Sequence, residues 1–266
     1  MIIRAGILLL ALSASGLADV ASEPHVYSNG FSIVIKIGGE LYSSLPPRFA
    51  TQLDAQAVAL QPQEQPVVAP ISSMDDNRVA RQVCLSAGFI DVVNHICHAK
   101  AIDRIEPGYF DQYVKTMADL YATNPAATCP NIIKPCYWSE ELMNDQISYF
   151  NQVIGLVTAI NLSHHYLGHY AKYSDRINGP SGTATPINNF LTPGEWNLSV
   201  KDGAANALNC AFATDGPRAL FDAIDRMPRR PAWAAYIVPP GMDIKKLNND
   251  LVVYETEFFH GRLTLR

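Results

Sequence analysis

Val153 to Leu162 is a run of ten residues interrupted only by Gly155, Thr158 and Asn161, and it is apolar on nearly every side of a helix. A helix that is hydrophobic all round has to be buried. The run is too short to cross a bilayer, which takes about 20 apolar residues. The rest of the chain must therefore pack around it. The run lies within a longer stretch, Ser139 to about Tyr173, that reads as one helix. Glu140 and Glu141 follow Ser139, and acidic groups are favoured near a helix N-terminus.

A hydrophobic content of 48% supports a sizeable core around that helix, and 17% of residues are charged. The net charge is -5 and there is no basic tract, which argues against nucleic acid and anionic membrane as partners. No Walker loop, dinucleotide fingerprint or internal repeat is present.

Residues 1–18 read as a secretory signal peptide: one positive charge at Arg4, an apolar run from Ala5 to Leu12, and small residues at Gly16 and Ala18 before a cut. The mature chain is expected to start near Asp19 and to work in the periplasm or outside the cell. The alternative is an uncleaved anchor, but no other stretch reaches transmembrane length. Five cysteines follow: Cys84, Cys97, Cys129, Cys136 and Cys210. In an oxidising compartment some should pair. Cys129 with Cys136 is the first expectation, and Cys84 with Cys97 the second.

Three segments follow from composition and breakers: the leader, an N-terminal extension or linker at 19–77, and a helical domain at 78–266. Within the extension, Phe31 to Ile37 resembles a strand ended by Gly38 and Gly39, and 51–77 is rich in Gln, Pro and Ala. Residues 79–90 suggest a strand and a tight turn. Helices are expected at 91–104, 108–122, 139–173, 192–213 and 218–227, and a helix or strand at 243–259. Thr192-Pro-Gly-Glu195 carries the signature of a capping box with proline at the first helical position. The fold class is mainly α with a small β element.

One constellation carries chemistry. Asn161-Leu-Ser-His-His-Tyr-Leu-Gly-His-Tyr170 puts three of the seven histidines in six residues. On a continuous helix His165 and His169 share a face, and two imidazoles at that spacing can hold one Zn2+. The bland alternative is a cluster of partly buried polar groups.

His165-Tyr-Leu-Gly-His169 resembles the zinc helix of the HExxH metallopeptidases, and the likeness is nearest to the CAAX prenyl proteases and their small soluble relatives. Leu85-Ser-Ala-Gly-Phe-Ile-Asp91 is similar to the segment before that helix. Asp202-Gly-Ala-Ala-Asn206 resembles the later motif that supplies the third ligand, and Ala213-Thr-Asp-Gly-Pro217 the break after it. The resemblance spans about residues 80–227. It implies a zincin-like fold with a central buried helix, Zn2+ held by His165, His169 and Asp202, and a zinc-bound water that attacks a peptide carbonyl. A peptide or protein would be the substrate or partner.

This sequence departs from the family where the catalytic Glu stands. Tyr166 takes its place, and a phenol with a pKa of about 10 is a poor base near neutral pH. His164 has a more suitable pKa but points about 100° away from His165 on a helix. Asn206 replaces an acid of the later motif. Two readings stay open: a zinc peptidase with a degenerate motif, and a catalytically inactive descendant that serves as a binding or structural protein.

Other acids and histidines have rival roles. Glu195 can cap its helix or ligate zinc. Glu255, Glu257 and His260 fit a half-buried strand. His95 and His98 could form a second metal site or make core polar contacts. Ser181 and Thr183 lie in a loop without a nucleophile elbow.

Overall fold

A computed structural model describes residues 30–53, 57–61, 70–74, 80–124, 129, 137, 139–177 and 185–265. The leader, Cys136, Ser181 and Thr183 lie outside the described residues.

The long apolar helix forms and occupies the centre. Helix α5, Glu140–Tyr166, has 27 residues and is buried continuously from Val153 to Tyr166. Ser139 caps it by accepting a hydrogen bond from the Leu142 N–H. Four further helices pack on α5: α1 (Gly30–Ser43), α3 (Ala87–Asp103), α8 (Pro193–Asn209) and α9 (Asp215–Arg226). Short helices α2 (Pro47–Ala50), α6 (His169–Lys172) and α7 (Ser174–Ile177), together with α4 (Tyr109–Thr123) and the C-terminal α10 (Ile244–Phe259), complete the helical set among the described residues. The mainly α class expected from the sequence is what the chain adopts.

A small sheet sits beside this bundle in the order β1-β3-β2, with β1 Val58–Gln61, β2 Pro70–Met74 and β3 Ala80–Ser86. The central strand β3 pairs in parallel with β1, Val58 opposite Val83, and antiparallel with β2, Pro70 opposite Leu85. Pro70 opens an edge strand, a position where a missing N–H is tolerated. Strand β3 runs straight into α3, whose N-cap Ser86 accepts a hydrogen bond from the Phe89 N–H at 3.0 Å.

Several expectations are corrected. Phe31 to Ile37 is helical, within α1, and Gly38 and Gly39 lie inside that helix. Its β-branched residues favour a strand locally, but Val34, Ile37, Gly38 and Leu41 recur at helical spacing and all face inward. The segment expected as an extension or linker contributes to the core: α1 packs on α5, and β1 pairs with β3. Glu255 and Glu257 lie on α10, a helix and not the half-buried strand their alternation suggested. Pro217 does not break a helix; it sits in the first turn of α9, where a missing N–H is harmless.

The approach of α8 to α5 depends on Gly203. A Cβ there would lie 2.7 Å from Ile160 Cγ1 and 2.8 Å from the Ile160 backbone nitrogen. The hydroxyl of Ser163 also donates to the Ser199 carbonyl at 3.1 Å and so ties the two helices together. This contact brings α8 side chains against the histidine-bearing end of α5.

Candidate functional site

The histidine helix does not continue to His169. Helix α5 ends at Tyr166, Leu167 caps it, and Gly168 takes a left-handed conformation with φ +76°. Glycine adopts that conformation without a Cβ penalty and commonly ends helices. His169 then begins α6. His165 and His169 therefore do not share one helix face, and the four-residue spacing loses its meaning.

The break instead pairs His169 with His164. Their Nδ1 atoms lie 3.1 Å apart. Ser199 Oγ, from α8, lies 2.9 Å from His164 Nδ1 and 3.3 Å from His169 Nδ1. The three atoms form a nearly equilateral triangle. Ser199 is wholly buried, and His164 and His169 are 1% and 5% exposed. Trp196 and Tyr170 flank the His164 ring, with centroids 6.2 and 6.1 Å away. Asn161 accepts from the Tyr170 hydroxyl at 3.4 Å and donates to the Val157 carbonyl.

The other expected residues lie around this triangle without joining it. The His165 ring packs at a tilt against Tyr170, with centroids 4.4 Å apart. Tyr166 is 6% exposed and stacks on Phe49 at 4.3 Å, and its hydroxyl has no hydrogen-bond partner among the described residues. Burial, and secondarily Asp202, push that phenol well above the ordinary tyrosine range, so it cannot act as a base. Asp202 is half-buried, and burial raises its carboxyl against the pull of Lys201 and Arg48. Asn206 is wholly buried and accepts from the Ser44 hydroxyl, which joins α8 to α1.

Glu195 caps α8 as its sequence suggested. Its carboxylate accepts from the Thr192 N–H at 2.8 Å, and the Thr192 hydroxyl accepts from the Glu195 N–H. The same carboxylate takes Lys172 at 2.6 Å and the Tyr173 hydroxyl at 2.9 Å, so it latches α6 onto α8. Burial opposes its charge, but these hydrogen bonds outweigh burial and hold the carboxyl at about 2.

Among the described residues, no three His, Cys, Asp or Glu side chains are gathered closely enough to hold a metal ion. The set His165, His169 and Asp202 therefore does not fit zinc in this arrangement. Ser199 and His164 are within reach of each other as a nucleophile and a base. Both are buried in this arrangement, Ser199 wholly and His164 at 1% exposure. A surface depression of about 420 Å³, lined by Tyr121, Arg229 and Arg230 among others, contains none of these residues.

His95 and His98 belong to another buried helix. His98 Nε2 lies 2.8 Å from the Tyr137 carbonyl, and the His95 ring stacks on Tyr113 at 6.4 Å. Core polar contact is the role these distances describe. Cys97 is a free, wholly buried thiol, so the pairing with Cys84 is not formed. Cys129 is described, but its expected partner Cys136 is not.

Burial disfavours the charged form of both clustered imidazoles. Burial lowers His164 well below the ordinary 6.5, and the neighbouring His169 and His165 lower it further. Burial is also the largest cause of the lowering at His169. In the unfolded chain both titrate near 6.5. Their contribution to stability is therefore complete above about pH 6.5 and is lost as pH falls below it, because the unfolded chain then binds more protons. The expected loss is up to about 1.4 kcal/mol per pH unit for each histidine. Thermal melts between pH 7 and 5 should show it, and a His164→Gln variant should have a flatter profile. An unchanged slope in that variant would refute the assignment.

No family model, curated protein or solved structure matches the chain. Among the described residues, no helix is long and apolar enough to cross a membrane.

Proposed function

We propose that this chain is exported to the periplasm or the cell exterior and acts there as a non-hydrolytic binding or structural protein with a peptide or protein partner. The leader-like residues 1–18 support the location. The helix break at Gly168 carries the rest. It separates His165 from His169, and the group at the position of the family's general base is a phenol buried against Phe49.

A zincin-like ancestry accounts for the central helix and the order of its motifs. The peptidase reading needs two further things: a base within reach of a bound water and an open coordination position facing solvent. Tyr166 supplies no base, and the residues around His164 are closed.

The purified mature chain, supplied with Zn2+, should not cleave a mixed peptide library. Tyr166→Glu should gain no activity and should lose stability, because it puts a second acid near Asp202 in a buried position. Zinc-dependent turnover that disappears in a His165→Ala/His169→Ala double variant would overturn the proposal. Mass spectrometry of the secreted chain should find its N-terminus near Asp19.

A further inference from the structure

We propose that the surface pocket between α4 and the segment 228–232 is a binding site for an organic carboxylate with an apolar body. The pocket is separate from the histidine cluster. The inference goes beyond the non-hydrolytic reading and does not depend on it, so either can fail alone.

The walls of the pocket are small, apolar and held in place. Its volume is about 420 Å³, within the range of small-ligand sites. Ala118 and Ala122 lie four residues apart on one face of α4 and form one wall. Their single methyl groups leave open the space that larger side chains would fill. Tyr121 beside them is 7% exposed, and its ring meets that of Trp233 edge-on at 6.3 Å, which fixes this part of the lining. The opposite wall is Pro228-Arg-Arg-Pro231 followed by Ala232. Proline rings hold φ at about −65°, and Pro231 has φ −63°. A wall with little backbone freedom loses little entropy when a ligand binds.

The charge at the pocket selects the ligand. Arg229 and Arg230 line it together with one acid, Asp119. Elsewhere Arg104, Arg218 and Arg226 each pair with a carboxylate. Among the described residues, neither pocket arginine does. Arg230 instead donates to the Met242 carbonyl at 2.5 Å and the Pro239 carbonyl at 3.5 Å. These neutral partners hold the guanidinium in place without cancelling its charge, and a guanidinium has five N–H donors to share. The chain as a whole carries a net charge of -5, so bulk attraction does not draw anions to its surface. The local excess of positive charge has to do so. A guanidinium matches a carboxylate through two parallel N–H···O hydrogen bonds, and the alanine, proline and tyrosine surfaces then cover the ligand's apolar part.

Calorimetric titration of the full mature chain tests this with two pairs of probes: 4-phenylbutyrate and its amide, and the acetylated dipeptide glycyl-leucine and its C-terminal amide. At least one acid should bind at a single site, with its amide at least about tenfold weaker. The acid that binds more tightly tells whether the carboxylate comes from a free small molecule or from the end of a peptide chain. Arg230→Gln should weaken binding at least about tenfold and Arg229→Gln by less, while Asp119→Asn should leave it unchanged or tighter. If Arg230→Gln does not fold, Ala122→Trp serves in its place: the position is exposed on α4, and the indole should fill the pocket and abolish binding. Absence of binding by both acids up to about 5 mM, where even a site of about 1 mM would be well filled, would sink the proposal. So would an amide that binds as well as its acid, or binding that survives Ala122→Trp.

Discussion

Replacing Asp91 with Asn should remove a loss of stability that the wild-type protein shows between pH 6.5 and 8. Asp91 lies in α3 and is wholly buried, and neither carboxylate oxygen has a hydrogen-bond partner among the described residues. Burial raises its carboxyl to about 8. The ordinary value in an unfolded chain is near 3.8. The folded state therefore holds the proton across this window, while the unfolded state has already released it. Stability from this group is complete below about pH 3.8 and is lost as pH rises to about 8. Each pH unit in between costs about 1.4 kcal/mol. Over pH 6.5 to 8 the wild type should lose about 2 kcal/mol, and Asp91→Asn should lose almost none of it. Denaturant melts at half-unit intervals would measure both curves. A flat wild-type curve, or a variant that keeps the slope, would show that Asp91 ionises freely in the fold. The buried histidines act in the opposite direction below pH 6.5, so wild-type stability should peak near that pH.

The second large effect is steric. Gly203→Ala should destabilise the protein by on the order of 2–3 kcal/mol, because the new Cβ would overlap Ile160 at its backbone and not at the end of a flexible side chain. Backbone cannot yield without pushing α8 away from α5. Alanine is the better helix former by about 1 kcal/mol, and that gain is swamped here. Gly39 provides the control. It lies inside α1 with nothing near the position of its Cβ, so Gly39→Ala should be neutral or stabilising by up to about 1 kcal/mol. Opposite signs in thermal melts of the two variants are the expected result. A stabilised Gly203→Ala would mean that the two helices do not approach as closely as described. The same displacement would withdraw Ser199, one turn earlier on α8, from its hydrogen bonds to the two imidazoles.

Much of the helical framework is legible in the sequence. The Thr192-Pro-Gly-Glu195 box predicts where α8 begins, and the apolar run predicts that α5 is buried, because both signals are local: one is a hydrogen-bond pattern within four residues, the other a surface that water disfavours. The small residues beside Asp202 likewise anticipate a close helix contact, which Gly203 makes with Ile160. The strand expected at Phe31 to Ile37 fails for a matching reason. Its β-branched residues state a local preference, and burial of Val34, Ile37 and Leu41 against the rest of the core overrides it.

The site is less legible. Gly168 was the available signal, since a glycine after a helical run commonly marks its end. Taken that way, His-x-x-x-His is not a helical pair at all. Asp91 is a related case. As the first residue of a helix it would be an unremarkable acid near the N-terminus. The helix in fact starts at Ala87, which carries Asp91 into the interior.

The sequence by itself determined that this chain carries a leader-like segment, builds a mainly helical core around α5, and concentrates histidines at one end of that helix. Composition, periodicity and capping are enough for this, because they act over a few residues or through the bulk cost of exposing apolar surface. Only the tertiary structure decided which histidines meet. Ser199 is 35 residues from His164, and the two come together because Gly203 lets α8 press against α5 and Gly168 turns His169 back. Contacts of that range depend on how whole helices dock, and no local pattern encodes the docking.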